Sequence, residues 1–145
     1  MRKIFQFMHF SYIVMQNEGY DTFTVRTITS EGKRTFLIKF LSFQNGCFIS
    51  VSESLDRIGS ISVSISSSNK VNTAKVIPSK FNPVFVNTIS ERISSMINGI
   101  CLISLHSITQ LEFNDMKAIM GEIMNLVEDR HNENGDRRKQ GKESI

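Results

Sequence analysis

The sequence predicts an α+β fold: an antiparallel β-sheet of about six strands with two main helices, one sheet face being paired with a partner chain. Three observations predict it. Residues Ser60 to Ser66 alternate strictly, with Ile61, Val63 and Ile65 on one side and serines on the other, the period of a half-solvated strand. From Asn82 onward the apolar period lengthens to that of helices. Finally, the strand from Thr35 to Leu41 is apolar on both faces, with Phe36, Ile38 and Phe40 opposite Leu37 and Leu41, more apolar surface than one layer of helices covers.

Taken in chain order, Ile4 to Met15 is rich in aromatic and β-branched residues and reads as a first strand, broken by Asn17-Glu18-Gly19. Thr22 to Thr29 and Arg34 to Leu41 form a hairpin across Ser30-Glu31-Gly32-Lys33. Asn45-Gly46 is expected to supply left-handed backbone angles for a tight turn before the strand Cys47 to Val51. After the Ser60 to Ser66 strand, Asn82 is the expected N-cap of a helix with Pro83 in its first turn, where no intrahelical N–H is lost. Val86, Ile89, Ile93, Met96 and Ile97 form its stripe, and Asn98-Gly99 stops it. Ile100 to Leu105 is too short for a helix and reads as an interior strand. Asn114 or Asp115 is expected to cap a second helix whose inner side is Met116, Ile119, Met120, Ile123, Met124 and Val127, with Asp115, Lys117 and Glu122 on its solvated side. Residues 1–128 thus make one domain, and 129–145 read as a charged, disordered tail without an apolar stripe. On this pattern the two helices either share one face of the sheet or split between both.

Composition narrows the class of function. With 40% hydrophobic and 21% charged residues the chain matches an ordinary globular domain. A net charge of +3, with the bases scattered, lacks the basic stripe of a nucleic-acid binder. The N-terminal run from Ile4 to Phe10 is too short and too polar to span a membrane, and Gln6 and His9 interrupt it as a leader. A cytoplasmic or nuclear protein is expected, with neither nucleic acid nor membrane as partner. Cys47 and Cys101, both inside apolar strands, read as reduced core thiols.

No set of residues assembles a reaction centre in the sequence. Cys47 and His106 are a conceivable thiol–imidazole pair, but no glycine-rich elbow or helix start adjoins the thiol. Ser104, His106 and Asp115 resemble a triad in composition only. His9, His106 and His131 with two strand cysteines give no metal-ligand spacing, and Gly46, Gly59 and Gly99 are single turn glycines with no phosphate cradle. The expectation is a non-enzymatic protein without cofactor, catalytic residue or metal site, working by contact with other proteins. The partner interface is expected to include Leu37, Lys39, Leu41 and Phe48.

One block carries a resemblance. Residues 45–53 (NGCFISVSE) and 55–65 (LDRIGSISVSI), then 85–93 (FVNTISERI) and 99–106 (GICLISLH), follow the strand, strand, helix, strand order of the proteasome assembly chaperone 4 family. The block spans Phe36 to Glu128 and is similar to that family in order and spacing, although Ser52 stands where a glycine is usual and Ser94-Ser95 where a basic pair is usual. The resemblance implies a chaperone that dimerises with a chaperone 3-type partner of similar fold, or with a second copy, and holds α-subunits of the 20S proteasome during ring assembly. A scaffold of the roadblock or longin kind, serving trafficking or small-GTPase complexes, is the alternative, though its usual order places a helix earlier.

Overall fold

The computed structural model describes residues 23–143, so the strand expected over Ile4 to Met15, and with it His9, lies outside the described residues. Strands β1 (Phe23–Thr29), β2 (Thr35–Phe43), β3 (Gly46–Glu53), β4 (Ser60–Ser67) and β5 (Lys70–Ile77) precede helix α1 (Pro83–Ile97). Strand β6 (Ile100–His106) and helix α2 (Phe113–Glu143) follow. The α+β class, the two helices and five of the six strands described are as expected, but the sheet is mixed rather than antiparallel throughout. Its order is β1-β2-β3-β6-β4-β5, and β6 returns through α1 to lie parallel to β3. A crossover through a helix brings the chain back in the same direction, which is how parallel pairs arise.

Strand β5 is the element the sequence reading lacks. It is joined to β4 by Ser68 and Asn69, which both adopt positive φ (51° and 65°), the hairpin geometry that matches the twist of the strands. At Asn45-Gly46 the expected left-handed angles are absent, since Asn45 is not among the positive-φ residues. Gly46 is instead required by close approach: a Cβ there would lie 2.2 Å from the carbonyl oxygen of Ile100. The Asn98-Gly99 stop behaves as expected. Asn98 takes the left-handed conformation and the Gly99 N–H donates to the Ser94 carbonyl at 3.1 Å.

Both helices lie on one face of the sheet. Cross-strand register places Arg26, Ile38, Val51 and Leu105 in one row, and Phe40, Ile49, Ile103 and Ser62 in the next, all on that face. Phe36, Ile38, Ile49, Val51, Cys101 and Ile103 are buried there beneath Phe85, Ile89 and Ile93 of α1 and Ile119 and Ile123 of α2. The methionines Met116, Met120 and Met124 pack against this core from its margin. Three serines on β4 and α1 complete the layer with polar contacts: Ser62 donates to Asn87 at 2.6 Å and Ser64 to Ser90 at 2.7 Å. The serine row of β4, which reads as a solvated side, therefore faces α1, and Ile61, Val63 and Ile65 face away from the helices.

Helix α2 also departs from expectation. It begins at Phe113, and Asp115 is buried in its first turn rather than solvated. At its other end it continues to Glu143, through the region expected to be a disordered tail. Once a helix is nucleated, each further residue adds a hydrogen bond without the nucleation cost, and Glu, Arg, Lys and Gln are good helix formers.

Candidate functional site

Among the described residues no helix covers the other face of the sheet, and Leu41, Phe48, Val63 and Leu102 there are half-buried. Leu37, Lys39 and Leu41 of β2 stand beside Ser52, Ser50 and Phe48 of β3, which in turn align with His106, Ser104 and Leu102 of β6. Val63 and Ile65 continue the surface beyond Leu102 and Ile100, and Phe23 and Val25 continue it beyond Leu41 and Lys39. The four residues expected at a partner interface, Leu37, Lys39, Leu41 and Phe48, all lie on this face. At its lower end Leu41, Phe43, Phe48, Ile100 and Leu102 line a shallow apolar depression of about 330 Å³.

The upper end of the same face is occupied by the β3–β4 loop, which folds back over it. Ser52 donates its hydroxyl hydrogen to the Arg57 carbonyl at 3.0 Å, and Ser104 Oγ accepts from the Gly59 N–H at 3.0 Å. Both serines are nearly inaccessible to solvent as a result. Asp56 of the loop pairs with Lys39, neutralising the one charge in the centre of the β2 row. Gly59 is fixed by contact, since a Cβ there would meet the Leu105 carbonyl oxygen at 2.0 Å. Among the described residues the apolar lower half is left open while the polar upper half is satisfied internally.

A second constellation ties the loops at this upper end together, and the sequence gives no local sign of it. Arg34 donates to both oxygens of Glu53, at 2.8 and 2.6 Å, and to Asp115 Oδ2 at 3.2 Å. It also donates to the carbonyls of Gln110 and Thr109. Glu53 accepts in addition from the Ile108 N–H at 2.8 Å, and Asp115 from Ser30 Oγ at 2.5 Å and from the Glu112 N–H at 3.0 Å. Two buried carboxylates sharing one guanidinium are thereby fully bonded. The hydrogen bond from Arg34 is the main reason Glu53 titrates below the usual carboxylate range. Burial pushes Asp115 upward, but the bonds from Ser30, Glu112 and Arg34 outweigh it and its pKa is lowered. The hydrogen bond to Glu53, with Asp115 adding to it, raises that of Arg34. Asn82 adds a further tie. Its amide does not cap α1; it donates to Ser107 Oγ at 3.1 Å and accepts from the Leu111 N–H at 3.0 Å.

The residues weighed for chemistry are kept apart. Cys47 stands beside Cys101 at the start of the parallel β3–β6 pair, whereas His106 is at its far end beside Ser52, about 17 Å along the strand. Hydrogen bonding to Cys47, and then burial, push the Cys101 thiol upward. Ser104 and His106 belong to the face away from the helices, and Asp115 is held on the helix side by Arg34 and Ser30. Among the described residues no group of three or more His, Cys, Asp or Glu side chains is arranged to hold a metal ion. Nor is any described helix long and apolar enough to cross a membrane.

No family model matches the sequence, and no curated protein matches it. Among solved structures the chain is similar to one chain of a novel chaperone complex for yeast 20S proteasome assembly, at 13% identity and a TM-score of 0.45, covering 77% of this chain and 94% of that one.

Proposed function

We propose that this protein is a non-enzymatic assembly chaperone that pairs through its open sheet face with a partner of similar fold and binds α-subunits of the 20S proteasome. The observation that carries the reading is the apolar lower half of that face, built by Leu41, Phe48, Leu102 and Val63 while both helices pack on the opposite side. A sheet of this kind gains stability by burying its second face, at about 25 cal/mol per Å² of apolar area removed from water. The resemblance of residues 36–128 to the proteasome assembly chaperone 4 family supports this choice of partner and client. Affinity capture of the full-length protein from its native cell, followed by mass spectrometry, tests this. The reading expects a second small chaperone together with 20S α-subunits. Recovery of small GTPases or trafficking proteins without any α-subunit would favour a scaffold role instead.

A further inference from the structure

The chain enters the described domain at Phe23, at the lower end of the sheet face that no described helix covers. Phe23 is the register partner of Leu41, and Leu41 lines the apolar depression with Phe43, Phe48, Ile100 and Leu102. Around this end Phe23, Phe43 and Ile65 are exposed to 37%, 58% and 46%. No charged residue lines the depression, and Lys39 higher in the β2 row is already paired with Asp56. The β3–β4 loop closes the upper half of the face from within, whereas the lower half has no such cover among the described residues. The sequence leading into Phe23 has the matching chemistry. Residues 4–15 (IFQFMHFSYIVM) contain no Asp, Glu, Lys or Arg, and hold Phe5, Phe7, Phe10, Ile13 and Val14. Residues 16–22 join this run to β1. A tether of that length spans at most about 24 Å. The far side of the depression, on β6, is three strand spacings or about 14 Å from β1. The run therefore reaches the whole depression from where the chain enters.

We infer that the run Ile4–Met15 is the intramolecular occupant of this lower half: it covers the depression in the lone chain and gives way to the pairing partner. Displacement by a partner rests on the function proposed above; the cover itself does not. A short tether holds the run beside the depression at an effective concentration on the order of millimolar. An uncharged apolar run against an uncharged apolar depression leaves no ion to desolvate, so contact removes apolar area from water at little polar cost. The partner then binds only those chains in which the face is free, and its apparent affinity falls by that fraction. The same cover shields the exposed Phe43 and Ile65 from non-specific association while the chain is alone.

The chain contains no tryptophan, so Phe10→Trp places a single fluorescent reporter in the run of the full-length protein. Its emission and its quenching by acrylamide are read at concentrations where the protein sediments as a monomer, alone and combined with Phe43→Asp or Phe48→Ser. Phe43 is more than half exposed, so its substitution leaves the core intact, which the melting temperature checks. The expected result is a shielded, blue-shifted tryptophan, independent of protein concentration, that becomes exposed with either substitution. In sedimentation at higher concentration, the full-length chain with Phe5→Ser, Phe7→Ser and Phe10→Ser is expected to associate about tenfold more tightly than wild type. A tryptophan as exposed as in the urea-unfolded chain, or shielded equally with and without the two substitutions, overturns the cover and leaves the proposed function standing. Shielding that appears only as concentration rises assigns the cover to a second copy and overturns the intramolecular one. Equal association of wild type and the serine variant overturns the competition. A tryptophan that responds as expected in a protein that never associates, with or without the serines, supports the cover and overturns pairing through this face.

Discussion

Arg34 is the residue on which the upper end of the molecule depends. Among the described residues it is the one cation bonded to both buried carboxylates, Glu53 and Asp115, and its removal takes that counter-charge from both. Arg34→Ala is expected to destabilise the fold by about 3–5 kcal/mol, read as a shift in the urea midpoint. Arg34→Lys restores the charge but not the fork that reaches both Glu53 oxygens, and should recover only part of the loss. The sign of the pH effect follows from the lowered values of Glu53 and Asp115. Their contribution is complete above the ordinary carboxylate range, about pH 4, and disappears as pH falls through the depressed folded-state values. Urea midpoints of wild type and Arg34→Ala should therefore converge toward acid pH, and a constant difference down to the acid limit would contradict the assignment. Cys47 and Cys101 bear the opposite prediction: both are buried, so neither is expected to react selectively with iodoacetamide at neutral pH in the folded protein. None of the Arg34 network is legible in the sequence, because residues 34, 53 and 115 meet only through the sheet order. Asn82 does stand at the N-cap position of α1, but its amide finds partners in a distant loop, which no local capping pattern reveals.

At the scale of elements, periodicity carried most of the fold. The alternation in β4, the apolar stripe of α1 and the short apolar run of β6 each correspond to an observed element. What periodicity does not reveal is which side of β4 is buried, since Ser62 and Ser64 pair with α1 hydroxyl and amide groups instead of solvent. Strand β5 was not legible because it is an edge strand with little buried surface and two lysines, so it lacks an apolar signature. Helix α2 divides into two parts. Among the described residues its last buried ones are Leu126 and Val127, and the sequence beyond them offers no apolar stripe. Deleting residues 133–145 should leave the melting temperature within about two degrees, since their sequence carries no apolar stripe to bury. A drop of ten degrees would show that the extension packs on the domain.

Across the whole molecule the asymmetry between the two sheet faces is the central feature. One face is closed by both helices; among the described residues the other is closed at its upper end, where the β3–β4 loop satisfies Lys39, Ser52 and Ser104. The sequence made the two-sided apolarity of β2 legible but left open how the helices divide between the faces. Their placement on one side turns Leu37, Leu41 and Phe48 into a common surface. Lys39→Glu on this face is expected to weaken pairing more than Lys117→Glu on the exposed side of α2, because a charge facing Asp56 at a packed surface must be desolvated without a partner. Equal effects would remove the sheet face from the interface. The most direct measurement is sedimentation velocity of full-length wild type and Leu41→Asp at ~100 µM, a concentration at which weak interfaces associate. The wild type is expected to associate and Leu41→Asp to sediment as a monomer. A clean wild-type monomer, or equal association of the two, would contradict the claim that the open sheet face is a packing surface.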